Sequence, residues 1–231
     1  MANSNSQPNS IDLYEISSNY LKRILGNNSE KKQIRVLLLD NITSSIISMF
    51  TTQSELLKNE IYLIDKLNNK NRDKLRNLKC ICFLKPNDTS VTNLSIEIGS
   101  PNYLSYEIYF NNIVSNTRLE RIAEADDFEM ITQVAEVFID YYIINKDVFT
   151  PVGIDNPFGF EAIDTWEPEA LKSSTEALTS LLLSLKLKPT IVYESNSSMC
   201  SKRSSDVVDP RQKERSNYSI IVSMDLSIYD S

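Results

Sequence analysis

Two thiols on one predicted strand form the most reactive pair in the sequence. Cys80 and Cys82 stand two residues apart in the apolar segment 80–84. Side chains alternate along a strand, so both thiols would share one face and could form a metal site or a redox pair. No further cysteine lies nearby and the chain has no histidine, so no zinc ligand set can be completed. We therefore predict that both cysteines are small, buried apolar side chains.

The chain also lacks the residues that most acid–base and nucleotide chemistry requires. Histidine, the usual general base and triad member, is absent. The four glycines form neither a GxGxxG pattern nor a phosphate-binding loop. We expect a protein that binds another protein and is not an enzyme, with no cofactor and no metal.

A cluster of carboxylates could hold a hard cation, but it lacks the glycine and the fixed spacing of a calcium loop. We predict instead a solvated helix face. The cluster comprises Glu120, Glu124, Asp126, Asp127 and Glu129.

Asp40 is the other carboxylate of interest, because it follows the first predicted strand. Ligand sites of α/β proteins form at the carboxyl ends of strands. Asp40 is therefore either a ligand-binding residue or the cap of a loop, and both interpretations stay open. The first would make the chain a small flavodoxin-like α/β enzyme, which is the alternative function.

Composition limits the partners and the compartment. The 231 residues carry a net charge of −7, which opposes nucleic-acid binding, since that binding depends on clustered Lys and Arg. Three cysteines cannot all pair and no signal-like apolar run follows the start, so a cytosolic protein is expected. Apolar runs such as 36–39 are far shorter than the roughly 20 residues that span a bilayer. Any membrane contact should be indirect.

The elements that must position these residues alternate between strand and helix. Helical spacing of apolar residues begins at Ile11 and stops at Gly26. Apolar or alternating runs predict strands at 34–40, 61–65, 80–84, 105–110 and within 134–144. Between them, helices are predicted at 51–59, at 88–97 with Asp88 or Thr89 as cap, and from 116 through 123. This order predicts an α/β fold: a mostly parallel five-stranded sheet flanked by helices.

A change of composition predicts a domain boundary at 150–167, which contains Pro151, Gly153, Pro157 and Gly159. Beyond it, a helix at 171–187 and strands at 189–193 and 220–222 form an incomplete second α/β unit. The predicted organisation is therefore a disordered tail at 1–10, a first domain at 11–149 and the truncated start of a second domain at 150–231.

Several collinear stretches together resemble one family. They are Val36–Asp40, Thr52–Leu63, Phe110–Ser115, Ala123–Asp126, Leu178–Lys186 and Pro189–Tyr193. In these stretches the chain resembles the Sec-one/Munc-eighteen (SM) proteins. Within that family it most resembles the vacuolar-protein-sorting branch, the type numbered forty-five.

The resemblance implies the first domain of an arch-shaped SNARE chaperone. Such proteins bind a syntaxin-type SNARE, through its amino-terminal peptide and its folded region, and serve vesicle docking and fusion among the trans-Golgi, endosomes and the vacuole. The chain would be cytoplasmic and peripheral on those membranes through its SNARE partner.

Site residues follow from the resemblance by position. Leu119 would be the apolar floor of a pocket for the syntaxin amino-terminal peptide and Glu136 its acidic partner. The other pocket residues would be Val114, Ala123, Ile131 and Val134. Asp40 and Asp65 would lie on the inner surface that meets the folded syntaxin.

The sequence departs from the family after Tyr193. Within these 231 residues the resemblance does not reach the family's third domain, and Leu226 stands where the family has an arginine. We therefore expect a truncated form that binds a SNARE without templating SNARE assembly. The alternative within the family is a non-functional remnant, which predicts rapid proteolysis beyond about residue 150.

Overall fold

The computed structural model describes residues 11–26, 33–152 and 168–186. The predicted tail, most of the predicted boundary, the strands predicted at 189–193 and 220–222, and Leu226 lie outside these ranges.

A five-stranded parallel sheet forms the centre of the fold, with strand order β2-β1-β3-β4-β5. All five residues of β1 are buried, which explains their apolar run. The predicted α/β fold class is confirmed. The strands are β1 (Arg35–Leu39), β2 (Ile61–Lys66), β3 (Leu75–Leu84), β4 (Tyr103–Phe110) and β5 (Ile131–Glu136).

Within the described ranges, six helices and a hairpin accompany the sheet. The hairpin is antiparallel and consists of β6 (Tyr141–Asn145) and β7 (Val148–Pro151). The helices are α1 (Leu13–Leu25), α2 (Asn41–Ser48), α3 (Gln53–Lys58), α4 (Asp88–Gly99), α5 (Asn116–Glu124) and α6 (Pro168–Leu185). Helix α1 ends at Gly26 as predicted, with a φ of +71° that favours glycine.

The two faces of the sheet bury different helices. Leu37 and Leu39 of β1 face a core shared with α1, α2, α3, the hairpin and α6. Val36 and Leu38 face a second core shared with α4 and α5. Strand alternation therefore produces three layers, with apolar residues on both sides of each central strand.

Helix α6 packs against the hairpin. The Ser180 hydroxyl accepts a hydrogen bond of 2.9 Å from the Asp140 backbone N–H, and the Tyr141 and Ser184 hydroxyls are 3.2 Å apart. The helix thus buries its apolar side on the first unit. The domain boundary proposed before this helix stays a prediction.

Several elements differ from the sequence-based prediction. The prediction lacks α2, whose β-branched and serine residues are weak helix formers. Strand β3 begins at Leu75 and not at Cys80, the cap of α4 is Asn87 and not Asp88 or Thr89, and the β-rich segment 134–144 divides between β5 and β6. The side chain of Asn87 accepts the Ser90 N–H at 2.7 Å, which places the cap one residue earlier.

Candidate functional site

The two thiols of β3 are buried in the core, as predicted. Cys80 and Cys82 are both inaccessible to solvent and their sulfur atoms are 3.8 Å apart. Burial, reinforced by the neighbouring Cys82 thiol, raises the pKa of Cys80 well above its usual value. A thiol held in its protonated form is a poor nucleophile and a poor metal ligand. Within the described ranges, no group of three or more His, Cys, Asp or Glu residues could hold a metal ion.

Asp40 is a cap, which decides between its two interpretations. Its Oδ1 accepts the Thr43 N–H at 2.8 Å, and the Thr43 hydroxyl completes a capping box at the start of α2. Its Oδ2 accepts the Lys85 N–H at 2.6 Å and the Ser90 hydroxyl at 2.8 Å. Both carboxylate oxygens are used to join β1, β3, α2 and α4. The alternative of a flavodoxin-like enzyme depended on Asp40 as a ligand-binding residue, but both Asp40 oxygens already accept hydrogen bonds within the fold.

Asp65 lies at the same edge of the sheet as Asp40, because it pairs with Leu38 in the parallel ladder of β1 and β2. Its carboxylate accepts hydrogen bonds of 3.1 Å from the Asn69 side chain and 2.6 Å from the Lys66 N–H. These are local bonds within one turn of chain. The side chain stays partly exposed.

The six predicted pocket residues lie around α5 and β5. Strand pairing shows how β5 presents its side chains: Val134 is opposite Ile108, and Glu136 is opposite Phe110. Ile108 and Phe110 belong to the core beneath α4 and α5. Side chains opposite each other share a face, so Val134 and Glu136 point to the α5 side of the sheet. We call the group the α5–β5 surface: Val114, Leu119, Ala123, Ile131, Val134 and Glu136.

The apolar residues of the α5–β5 surface range from buried to accessible. Val114 is buried, and Leu119 and Ile131 are half-buried against the core. Val134 is 42% exposed and Ala123 is also exposed. Among the described strands, β5 lies at the edge of the sheet, so Val134 has a strand neighbour on one side only. An apolar ligand group could therefore reach these side chains from solvent.

Glu136 is fixed in place and keeps one oxygen available. Its Oε1 accepts the Val114 N–H at 2.9 Å, which ties β5 to the segment before α5. None of the described residues donates a hydrogen bond to its Oε2, and the side chain is half-buried. A carboxylate held in this way can accept a charge-assisted hydrogen bond from a cationic ligand group.

The acidic cluster is a solvated surface with one structural member. Glu120, Glu124, Asp127 and Glu129 are exposed. The Asp126 carboxylate instead accepts the Met130 N–H at 2.8 Å and the Ile131 N–H at 3.1 Å. Asp126 therefore fixes the start of β5, and with it one side of the α5–β5 surface.

A buried ionic network was missed from the sequence. Asp140 is 1% exposed and its carboxylate accepts hydrogen bonds from Lys85, at 3.0 Å, and from the side-chain amides of Asn111 and Asn112. Glu176 of α6 lies 3.4 Å from the same Lys85 ammonium. Burial lowers the pKa of Lys85, but the two carboxylates outweigh it and the pKa is raised. The network links β3, the ends of β4 and β5, and α6.

No helix within 11–26, 33–152 or 168–186 combines the length and apolar character needed to cross a bilayer.

Comparisons with known proteins place the chain in a family. The model of the Sec1 family matches residues 35–225. The vacuolar protein sorting-associated protein 45 of Saccharomyces cerevisiae is 38% identical over 205 residues, which are 85% of this chain and 35% of the relative. The protein of the same name from Schizosaccharomyces pombe is 40% identical over 198 residues, covering 85% of this chain and 34% of the relative.

A solved structure gives the same result. The structure described as the SM protein Vps45 in complex with the Qa SNARE Tlg2 matches with a TM-score of 0.79 and 33% identity, over 91% of this chain and 38% of that one. The chain thus spans about a third of the length of the relatives that it matches. The family match covers most of the chain and agrees with the parallel sheet and its flanking helices. The chain belongs to the Sec1 family.

Proposed function

We propose that this chain binds a syntaxin-type (Qa) SNARE through the α5–β5 surface and takes part in vesicle docking and fusion without catalysing a reaction. A similar structure is described as Vps45 with the Qa SNARE Tlg2, which supports a SNARE as the partner. Protein transport among the trans-Golgi, endosomes and vacuole is the corresponding process. The chain would be cytoplasmic and would reach those membranes through its SNARE.

One observation carries this proposal: accessible apolar side chains and a partly used carboxylate share one face of the sheet. Val134 is 42% exposed on strand β5, and Leu119 is half-buried on the facing helix. An apolar side chain of the SNARE amino-terminal peptide would pack against both. A basic residue of the same peptide would donate to Oε2 of Glu136, whose Oε1 is already bound by the Val114 N–H.

The folded region of the SNARE would meet the inner surface at Asp40 and Asp65. Of the two, Asp65 is the better contact residue. Both oxygens of Asp40 accept hydrogen bonds from other elements of the fold, whereas among the described residues Asp65 bonds only to Lys66 and Asn69 of its own turn. We therefore propose that Asp40 shapes this edge and that Asp65 contacts the partner.

The chain would represent the first domain of the family, over 11–149, and the beginning of the second, over 150–231. The described part of the second unit comprises residues 150–152, at the end of β7, and residues 168–186 with α6, whose Ser180 and Glu176 interact with residues of the first unit. These contacts let the first domain and α6 fold together.

Titration of a fluorescein-labelled amino-terminal peptide of the Qa SNARE Tlg2 tests the proposal. Binding to the unaltered chain should raise the fluorescence anisotropy. Leu119→Arg should abolish binding, because it places a charged side chain on the apolar floor. Glu136→Gln keeps an oxygen for the Val114 N–H but removes the charge, and should weaken binding about tenfold.

Glu120→Gln is the matched control, because it removes an exposed carboxylate from the same helix. It should bind the peptide like the unaltered chain. Equal peptide binding by the unaltered chain and by a folded Leu119→Arg variant would show that the α5–β5 surface is not the site.

A further inference from the structure

The segment 66–79 is strongly basic in an otherwise acidic chain. It contains one acid, Asp73, against a much larger set of cationic residues, while the whole chain has a net charge of −7. Those cationic residues are Lys66, Lys70, Arg72, Lys74, Arg76 and Lys79.

Within the described ranges, two of these cations make side-chain contacts with the fold: Arg72, and Lys66, whose exposed ammonium donates a hydrogen bond of 2.9 Å to the Asn41 side chain. The Arg72 guanidinium is buried and pairs with the buried Glu97 carboxylate. Lys74 and Arg76 are exposed, and neither makes an ion pair or hydrogen bond with any residue of the described ranges. The positive charges of Lys74 and Arg76 are therefore available to a partner.

Arg76 stands at the rim of an open cavity of about 430 Å³ at the amino-terminal ends of β3, β4 and β5. Leu75 pairs with Tyr103, but the next pair is Lys79 with Ser105, so residues 76–78 form an irregularity that interrupts the ladder. Arg76 lies in this irregular part of β3 and lines the cavity.

The lining of this cavity is largely apolar. Phe128 is 59% exposed and Leu104 is 47% exposed, although both are large apolar side chains. The Tyr103 ring and Met130 line the cavity as well, and the turn 99–101 closes one side. Burying such side chains against a partner is favourable, and accessible apolar groups beside a cation are typical of a binding site.

Charge is distributed unevenly around the cavity. β4 lies between β3 and β5 in the sheet, so Arg76 and Lys74 are on one rim, and Asp127 and Glu129, which flank Phe128, are on the other. A ligand that fits this surface has negative charge toward β3 and an apolar group in the centre.

We infer that this cavity is a docking site for an extended segment of a partner protein that inserts one large apolar side chain and places acidic residues beside Arg76. A concave site suits a single inserted side chain, whereas attachment to a bilayer requires apolar side chains that project. The acidic rim at Asp127 and Glu129 also disfavours an anionic lipid surface. The inference does not depend on the α5–β5 surface, which shares no residue with this cavity.

Isotope-labelled full-length chain, titrated with short synthetic peptides and observed by NMR, tests the inference. The probe is the peptide Ser-Asp-Asp-Phe-Ser-Ser together with its reversed order, which covers both chain directions. One of the two should shift the signals of Leu104, Phe128 and Arg76 saturably at millimolar concentration. Replacing Phe by Ala, or both Asp residues by Lys, should weaken binding at least about fivefold.

Variants of the chain sharpen the test. Arg76→Glu and Phe128→Ser should each weaken binding of the acidic peptide about fivefold or more. Lys22→Glu makes the same charge change on the exposed surface of α1 and should leave binding unaltered. Each variant should still bind the Tlg2 peptide as the unaltered chain does, which shows that it is folded and separates this inference from the proposed function.

Three results would overturn the inference: no saturable shift with either acidic peptide, equal binding of the Ala or Lys peptides, or shifts located away from the cavity. Sedimentation with vesicles containing phosphatidylserine examines the other class of partner. Vesicle binding that Arg76→Glu abolishes, without binding of the acidic peptides, would assign this surface to a membrane and not to a protein segment.

Discussion

The carboxyl-end edge of the sheet and the α5–β5 surface use their acidic residues in opposite ways. At the edge, both oxygens of Asp40 and both oxygens of Asp140 accept hydrogen bonds from other parts of the fold. On the α5–β5 surface, Glu136 uses Oε1 for the Val114 N–H, and its Oε2 has no donor among the described residues.

The apolar residues of the two regions also differ, in their exposure to solvent. The core residues next to the carboxyl-end edge of the sheet are buried, whereas Val134 and Ala123 on the α5–β5 surface are exposed. An acidic residue at the carboxyl end of a strand is therefore insufficient as a sign of a ligand site. Accessible apolar side chains combined with unused hydrogen-bonding capacity are the more informative sign in this fold.

To test this contrast, the largest effect on stability is expected from Asp140→Ala. Asp140 is 1% exposed, and its removal takes the nearest carboxylate from the largely buried Lys85 ammonium, which keeps Glu176 at 3.4 Å, and an acceptor from the side-chain amides of Asn111 and Asn112. We expect a loss of about 3–5 kcal/mol in the free energy of unfolding, because removing one partner of a buried ion pair leaves the other charge poorly compensated. Urea denaturation followed by circular dichroism measures it.

Asp88→Ala is the matched control for Asp140→Ala. It also breaks an ion pair, with Arg118 at 3.2 Å, but the Asp88 side chain is 80% exposed. Its effect should be within about 0.5 kcal/mol. Similar losses for the two variants would mean that the Asp140 network does not support the fold.

A smaller effect is expected at Asp40. Asp40→Ala removes the cap of α2 and leaves the Lys85 N–H without its acceptor, which should cost about 2 kcal/mol. Asp65→Ala removes only local bonds and should change the free energy of unfolding by at most about 0.5 kcal/mol. An unchanged unfolding midpoint for Asp40→Ala would contradict the structural role and restore Asp40 as a candidate binding residue.

The regular part of the fold follows from the sequence. The apolar run 36–39 predicts a strand buried on both faces, and the alternation of strands and helices predicts a parallel sheet. The spacing of Cys80 and Cys82, with no further ligand nearby, predicts their burial. These features depend on local patterns, which a single sequence displays directly.

Features that depend on distant contacts could not be predicted in this way. Lys85 and Asp140 are 55 positions apart, and nothing in the local pattern of either residue indicates the other. Helix α2 has weak intrinsic propensity and is stabilised by its Asp40 capping box and by burial of Ile46 and Ile47.

The α5–β5 surface shows the limit of helical spacing as a signal. Leu119, Ile122 and Ala123 share one side of α5 in the sequence pattern, which by itself suggests a core face. In the structure Ile122 is 2% exposed, Leu119 is half-buried and Ala123 is exposed. The pattern finds the side of the helix, but only the resemblance to SM proteins suggested a site there, and its role as a peptide pocket stays a proposal.

Val134 gives the sharpest test of the contrast between the two regions. Its substitution should have the smallest effect on stability. Because this side chain is 42% exposed on an edge strand, Val134→Ser should change the free energy of unfolding by at most about 0.5 kcal/mol. It should nevertheless weaken binding of the Tlg2 peptide several-fold, since the apolar contact area is lost. Thr132→Ser, an exposed change two residues earlier on the same strand, should affect neither quantity. If Val134→Ser destabilised the chain and left peptide affinity unchanged, Val134 would serve the fold as Asp140 does, and the contrast between the two regions would fail.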